Sequence, residues 1–253
     1  LSLMTKIQIL FPLLIALCLG CFISASPLKP GYSYPVPVFK KGAHILFIGD
    51  SITDMQRSRK PYGWDQNHLL GHSYVFLIAA RLDIDAVESN YTFSNRGISG
   101  NTVADLKKRW QQDAIEPKPD LLSILIGTND VNRGVTPQAY ERDYRSILSK
   151  SREVNPELKI VLLDPFVLRS GKLDNEDVWK KRKTATDQMR MVVARLAKEF
   201  EAVHIPMQDI FDEAISVAPA VHWIWDGIHP LPAGHEIIAR SWLDAVFGRW
   251  PGK

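Results

Sequence analysis

Cysteine is almost missing from this chain. Of 253 residues only Cys18 and Cys21 are cysteine, and both lie within the first 26. The remainder therefore has no disulfide framework, no thiol nucleophile and no thiolate ligand for a metal. Long basic runs are missing too, and the formal net charge is +3. The short cluster Lys180-Lys181-Arg182-Lys183 has the pattern of a solvated helix face, so nucleic acid is not an expected partner. His44, His68, His72, His204, His222, His229 and His235 show no paired ligand spacing with a carboxylate on one helix face. That argues against a zinc hydrolase. Gly97 to Gly100 lacks the dinucleotide-binding glycine pattern, and no repeat or low-complexity tract occurs. No cofactor and no metal are expected.

What is present suits one domain: 45% hydrophobic and 23% charged residues can build a full core over this length. The first 26 residues form a separate object. Lys6 precedes an apolar run over 9–19, followed by small and polar residues over 20–26, the order of a secretory signal. The run is short for a membrane span. Met4 is a candidate true start. Cys21 after Leu19-Gly20 resembles a bacterial lipoprotein box, although Cys18 stands where that pattern prefers an aliphatic residue; plain cleavage near Ala25 is the alternative. The expected location is secreted or periplasmic, with Cys21 a candidate lipid anchor and no transmembrane span once the signal is removed.

Residues 27–42 carry Pro27, Pro30, Pro35 and Pro37 and read as an extended lead-in. From 43 to 253 apolar runs alternate with helical patterns. Strands are expected at 44–48, 86–93, 121–126, 160–163 and 202–205. Helices are expected near 71–82, 102–113, 137–152, 178–199 and 232–246. Thr102, the Thr136-Pro137 pair and Pro232 mark helix starts. Such alternation predicts a three-layer α/β/α sandwich on a five-stranded parallel sheet.

Chemistry concentrates where strands end. The first strand runs into Gly49-Asp50-Ser51, the second into 95–102 (Asn-Arg-Gly-Ile-Ser-Gly-Asn-Thr), and the third into Gly127-Thr128-Asn129-Asp130. Near the end, Trp225-Asp226-Gly227-Ile228-His229-Pro230 precedes the last helix. Ser51 alone would read as a helix cap, Asp226 as an Asx-turn, Asn129 as a loop residue and His229 as an ordinary turn residue. The four blocks together resemble the SGNH, or GDSL-type, hydrolase family, through Gly49-Asp50-Ser51, Gly100, Gly127-x-Asn129-Asp130 and Asp226-x-x-His229.

The resemblance implies a flavodoxin-like fold and serine-dependent ester hydrolysis. Ser51 would be the nucleophile, His229 its base, and Asp226 the carboxylate that orients the imidazole. The oxyanion hole would combine the backbone N–H groups of Ser51 and Gly100 with the Asn129 side-chain amide. Gly97 competes with Gly100 for that place. Asp50, Asp54 and Asp130 are expected to brace loops.

Substrate choice falls to the neighbouring loops. Segment 55–70 holds Arg57, Arg59, Lys60, Tyr62, Trp64 and His68, and 221–225 holds His222, Trp223 and Trp225. Arginine beside tryptophan suits a sugar, including an acidic one. Arg57, Trp64 and Trp223 are the expected substrate contacts, with core packing the alternative for the tryptophans. The expected substrate is a small-molecule ester or an acetylated carbohydrate, which makes the protein a carbohydrate O-acetylesterase. A lysophospholipase or thioesterase is the alternative on the same fold, and a carbohydrate-binding protein without activity is the third.

Overall fold

The computed structural model describes residues 39–61 and 67–251. The signal segment, most of the lead-in and Trp64 lie outside the described residues. Five parallel strands form one sheet: β1 (His44–Gly49), β2 (Thr92–Asn95), β3 (Leu121–Leu125), β4 (Lys159–Leu163) and β5 (Val203–Ile205). Their spatial order is β2-β1-β3-β4-β5. The chain therefore steps outward from β1 to β2, then returns past β1 to build β3, β4 and β5. That reversal opens a crevice at the carboxyl ends of β1 and β3, where ligands bind in sheets of this order.

The helices are α1 (Ser51–Asp54), α2 (Asn67–Leu70), α3 (Tyr74–Asp85), α4 (Val103–Trp110), α5 (Thr128–Asn132), α6 (Pro137–Val154), α7 (Glu176–Glu199), α8 (Met207–Ala214), α9 (Ala220–Trp223) and α10 (Pro232–Arg249). Strand alternation divides the apolar residues between two faces. Ile45 and Phe47 of β1 join α3, α8 and α10 on one side. Leu46 and Ile48 join α4, α6 and α7 on the other. Both faces of the sheet are thus buried, which is why its strands read as continuous apolar runs. Within β3, Ser123 is fully buried and accepts the Trp242 indole N–H at 3.0 Å.

The expected helix starts appear where their chemistry put them. Thr102 caps α4 in a reciprocal capping box with Asp105, Thr136 caps α6, and Pro137 and Pro232 occupy first turns. Two element starts differ by three residues or more. The second strand starts at Thr92, not 86, because α3 runs on to Asp85 and a 3₁₀ turn over Val87–Ser89 ends at a left-handed Asn90 (φ 51°). The first long helix begins at Tyr74, not 71: Gly71 is left-handed (φ 69°), and Ser73 accepts the Val75 N–H as cap.

Candidate active site

Ser51 is placed by the turn that ends β1. Gly49 leaves no room for a side chain: a Cβ there would sit 2.3 Å from the Leu125 carbonyl oxygen and 2.5 Å from Thr53 Oγ1. Asp50 then caps α1, its Oδ1 accepting the Ile52 N–H at 3.0 Å. Ser51 is the first residue of that helix, so its own N–H lies at an open helix start. Asp50 is enclosed, and burial pushes its carboxyl up to about 7 against the pull of the Ile52 N–H and His229.

His229 and Asp226 share a small closed loop. Ile224 and Pro230 form an antiparallel bridge, and the Leu231 N–H reaches the Trp223 carbonyl at 2.8 Å. Ser170 also ties in, donating to the Ile224 carbonyl at 2.6 Å. Within the loop, Asp226 Oδ1 accepts the N–H groups of Ile228 (3.0 Å) and His229 (2.8 Å). Its Oδ2 lies 2.8 Å from His229 Nδ1. Burial alone would raise the Asp226 carboxyl, but those hydrogen bonds outweigh it and hold the group below the ordinary range. The other imidazole nitrogen, Nε2, lies 2.9 Å from Ser51 Oγ. Hydroxyl, imidazole and carboxylate thus form one continuous hydrogen-bonded line. Such a line can carry a proton from a hydroxyl to an imidazole whose tautomer the carboxylate fixes.

Two further segments face this line from neighbouring strand ends. The β2 segment turns through Asn95, whose amide donates to the carbonyls of Thr53 (2.7 Å) and Leu70 (2.8 Å). Its Oδ1 accepts the Gly97 N–H at 2.8 Å. Gly97 is pressed against α1: a Cβ would lie 2.4 Å from the Asp54 nitrogen. Gly100 is the opposite case, with φ 82° and nothing within 4 Å of a built Cβ among the described residues. Of the two competing glycines, Gly97 serves packing and Gly100 borders open space. Arg133 steadies the turn by donating to the Gly100 carbonyl at 2.8 Å. From the β3 end, the Asn129 amide donates to the Asn101 carbonyl at 3.0 Å, which orients the amide while leaving its second N–H. Asp130 caps α4 through the Val103 N–H, and burial lifts its carboxyl to about 6.

The outer residues divide differently from the sequence expectation. Trp223 is 7% exposed and packs in the core, its indole N–H on the Ala218 carbonyl at 3.0 Å. The neighbouring Trp225 is 51% exposed, its ring 6.2 Å from the His229 ring and inclined by 22°. The aromatic surface beside the imidazole is therefore Trp225, two positions on. Arg57 is half-buried and spends its Nε on the Gly97 carbonyl at 2.8 Å, so it supports the loop from behind. Sequence reasoning overlooked Asn95 as a clamp, although an asparagine at a strand end beside a glycine turn is the available signal. Among the described residues no three His, Cys, Asp or Glu side chains converge as a metal site requires.

The sequence profile of the GDSL-like lipase/acylhydrolase family matches residues 47–237. An acetylxylan esterase of Geobacillus stearothermophilus is 37% identical over 220 residues, 83% of this chain and 96% of that protein. A solved structure described as a GDSL-like lipase from Parabacteroides merdae superposes with a TM-score of 0.77 at 37% identity, covering 84% of this chain and 99% of that one. A more distant relative is the thioesterase 1/protease 1/lysophospholipase L1 of Escherichia coli, 26% identical over 79% of this chain and 80% of its own. Catalytic mutants of a G. stearothermophilus acetylxylan esterase have been solved with a serine, an aspartate or a histidine replaced by alanine. The serine variant gives a TM-score of 0.72 at 35% identity, over 82% of this chain and 95% of that one. The aspartate and histidine replaced there are three positions apart, and another solved mutant alters a tryptophan one position before that aspartate.

Proposed function

The chain belongs to the GDSL-like lipase/acylhydrolase family and hydrolyses esters; we propose that it removes acetyl groups from xylan-type carbohydrate, with Ser51, His229 and Asp226 as its catalytic residues. The hydrogen-bonded line from Ser51 Oγ to His229 (2.9 Å) and on to Asp226 (2.8 Å) carries the reading. In it, His229 Nε2 takes the hydroxyl proton as Ser51 Oγ attacks the acetyl carbonyl. The oxyanion so formed is received by the N–H groups of Ser51 and Gly100 and the Asn129 amide. Protonated His229 then delivers its proton to the departing sugar oxygen, leaving acetyl-Ser51. Water repeats the sequence in the second half: His229 takes its proton, acetate leaves, and the proton returns to Ser51 Oγ. Asp226, held ionised by three hydrogen bonds, stabilises the imidazolium in both halves.

Carbohydrate is favoured over a long acyl chain for three reasons. Trp225 offers an exposed ring face beside His229, the surface on which a sugar ring stacks. The acetylxylan esterase is also nearer in sequence, at 37% identity, than the thioesterase at 26%. The amino-terminal segment adds an exported location, where a polysaccharide substrate is met. Acetate release from acetylated xylooligosaccharides tests the proposal. Wild type should release acetate, and Ser51→Ala should lose roughly 10⁴-fold or more of turnover. No acetate from such substrates, or an unimpaired Ser51→Ala, overturns it. Faster turnover of long-chain than of short-chain p-nitrophenyl esters would favour the acylhydrolase alternative.

A further inference from the structure

Behind the oxyanion loop lies a second concave site that the hydrolytic chemistry leaves unused. It is a cavity of about 200 Å³ at the β2 edge, bounded by Arg57, Arg59 and Arg96 and floored by Phe93 and Leu69. Arg109 stands close enough to act electrostatically on Arg57, as Arg59 and Arg96 do. Four guanidinium groups therefore gather around two carboxylates, Asp54 and Asp113.

Both carboxylates carry partners, although Asp54 Oδ1 is buried without one among the described residues. Asp54 Oδ2 accepts the Ser99 N–H and hydroxyl, each at 2.8 Å, besides Arg59 at 3.3 Å. Asp113 is held by Arg109 at 2.5 Å, which leaves Arg96 a distant partner at 4.0 Å. Arg96 Nε is enclosed and has no hydrogen-bond partner among the described residues. An enclosed guanidinium nitrogen without an acceptor is costly, and four guanidinium groups against two carboxylates leave an excess of positive charge that an added carboxylate would offset. Its wall is also continuous with the reaction site, since Arg57 donates to the Gly97 carbonyl and Asp54 to Ser99 is the strut just before Gly100.

We propose that this arginine pocket binds a carboxylate carried by the substrate, the uronic acid branch of an acetylated xylan-type chain. It gives the enzyme a preference for acidic over neutral esters. The inference rests on the acetylesterase reading above and adds the class of branched substrate. Arg59 and Arg96 supply the planar donor pairs that match a carboxylate, while Phe93 and Leu69 give the branch sugar an apolar floor.

Two substrates separate the possibilities: an acetylated xylooligosaccharide with one glucuronic acid branch, and the same compound with that carboxyl reduced to an alcohol. Wild type should show a kcat/KM about tenfold higher for the acidic form, mostly through KM, and salt should shrink the ratio. In Arg96→Gln and in Arg59→Gln the ratio should fall towards one. Lys180→Gln, which removes the same charge from an exposed position on α7, should keep it. The ratio is taken within each variant, so a general loss of stability does not imitate the effect. Equal turnover of both substrates by wild type, or a ratio that survives both arginine variants, overturns the proposal. So does inorganic phosphate changing turnover of the neutral ester with no acid preference, which would assign the pocket to a free anion. Failure of the acetylesterase reading would look different, with neither substrate releasing acetate.

Discussion

Asn129 shows how a single side chain can be both legible and incomplete in a sequence. Its place after β3 in Gly127-x-Asn129-Asp130 marked it as an oxyanion donor. Its bond to the Asn101 carbonyl, which aims the amide, depends on a residue 28 positions away. Asn129→Ala should lower kcat by about 10² to 10³ with little change in KM, because a donor in the proposed oxyanion role acts on charge that develops during reaction. An equal loss in KM would instead mark it as a ground-state contact. The hydrogen-bonded line of Ser51, His229 and Asp226 was foreshadowed because each sits in a short motif at a strand end or before the last helix. The tryptophans were not, since which of Trp223 and Trp225 faces out depends on the turn between them. Arg57 had the right chemistry for a ligand, but Gly97 supplies its partner from another loop.

At the scale of elements, strand and helix patterns were legible wherever packing follows local periodicity, as in β1, β3, β4, α6 and α7. Short pieces were not. The α1, α5 and α9 segments have four or five residues and no periodicity to detect, yet α1 carries Ser51 and α5 carries Asn129. The 86–93 run was expected as a strand, but it is half polar and a 3₁₀ turn over Val87–Ser89 takes its beginning. The junction of α1 with the β2 loop gives a sharp test. In Gly97→Ala the new methyl would meet backbone atoms of Thr53 and Asp54, which cannot rotate away. The variant should lose about 1–3 kcal/mol in urea denaturation, and kcat/KM should fall because α1 must shift with Ser51 on it. Wild-type stability and rate in that variant would mean the contact yields freely.

For the whole molecule, the order β2-β1-β3-β4-β5 places every segment of the reaction site at one end of the sheet, and alternation of strands with helices was enough to expect this. What no pattern revealed is the polar interior beside it. His235 is 3% exposed, accepts the Tyr74 N–H at 3.2 Å through Nδ1, and is pushed down to about 3 by burial. The folded protein keeps it neutral while the unfolded chain protonates it near 6.5. Its contribution to stability is therefore complete above about pH 6.5 and is lost as pH falls towards 3. The stability advantage of wild type over His235→Gln should shrink by about 2 kcal/mol between pH 7 and 4.5 in urea titrations. A constant difference would sink this account. The closed loop of Asp226 and His229 has a consequence for biosynthesis. The proposed base and its carboxylate leave the ribosome together, 178 residues after the proposed nucleophile in the case of His229. A nascent or C-terminally truncated chain can complete β1 through β5 and still be chemically silent. With the roles proposed above, hydrolysis begins only when the segment carrying Asp226 and His229 docks, so the onset of esterase activity reports a step of folding later than completion of the sheet.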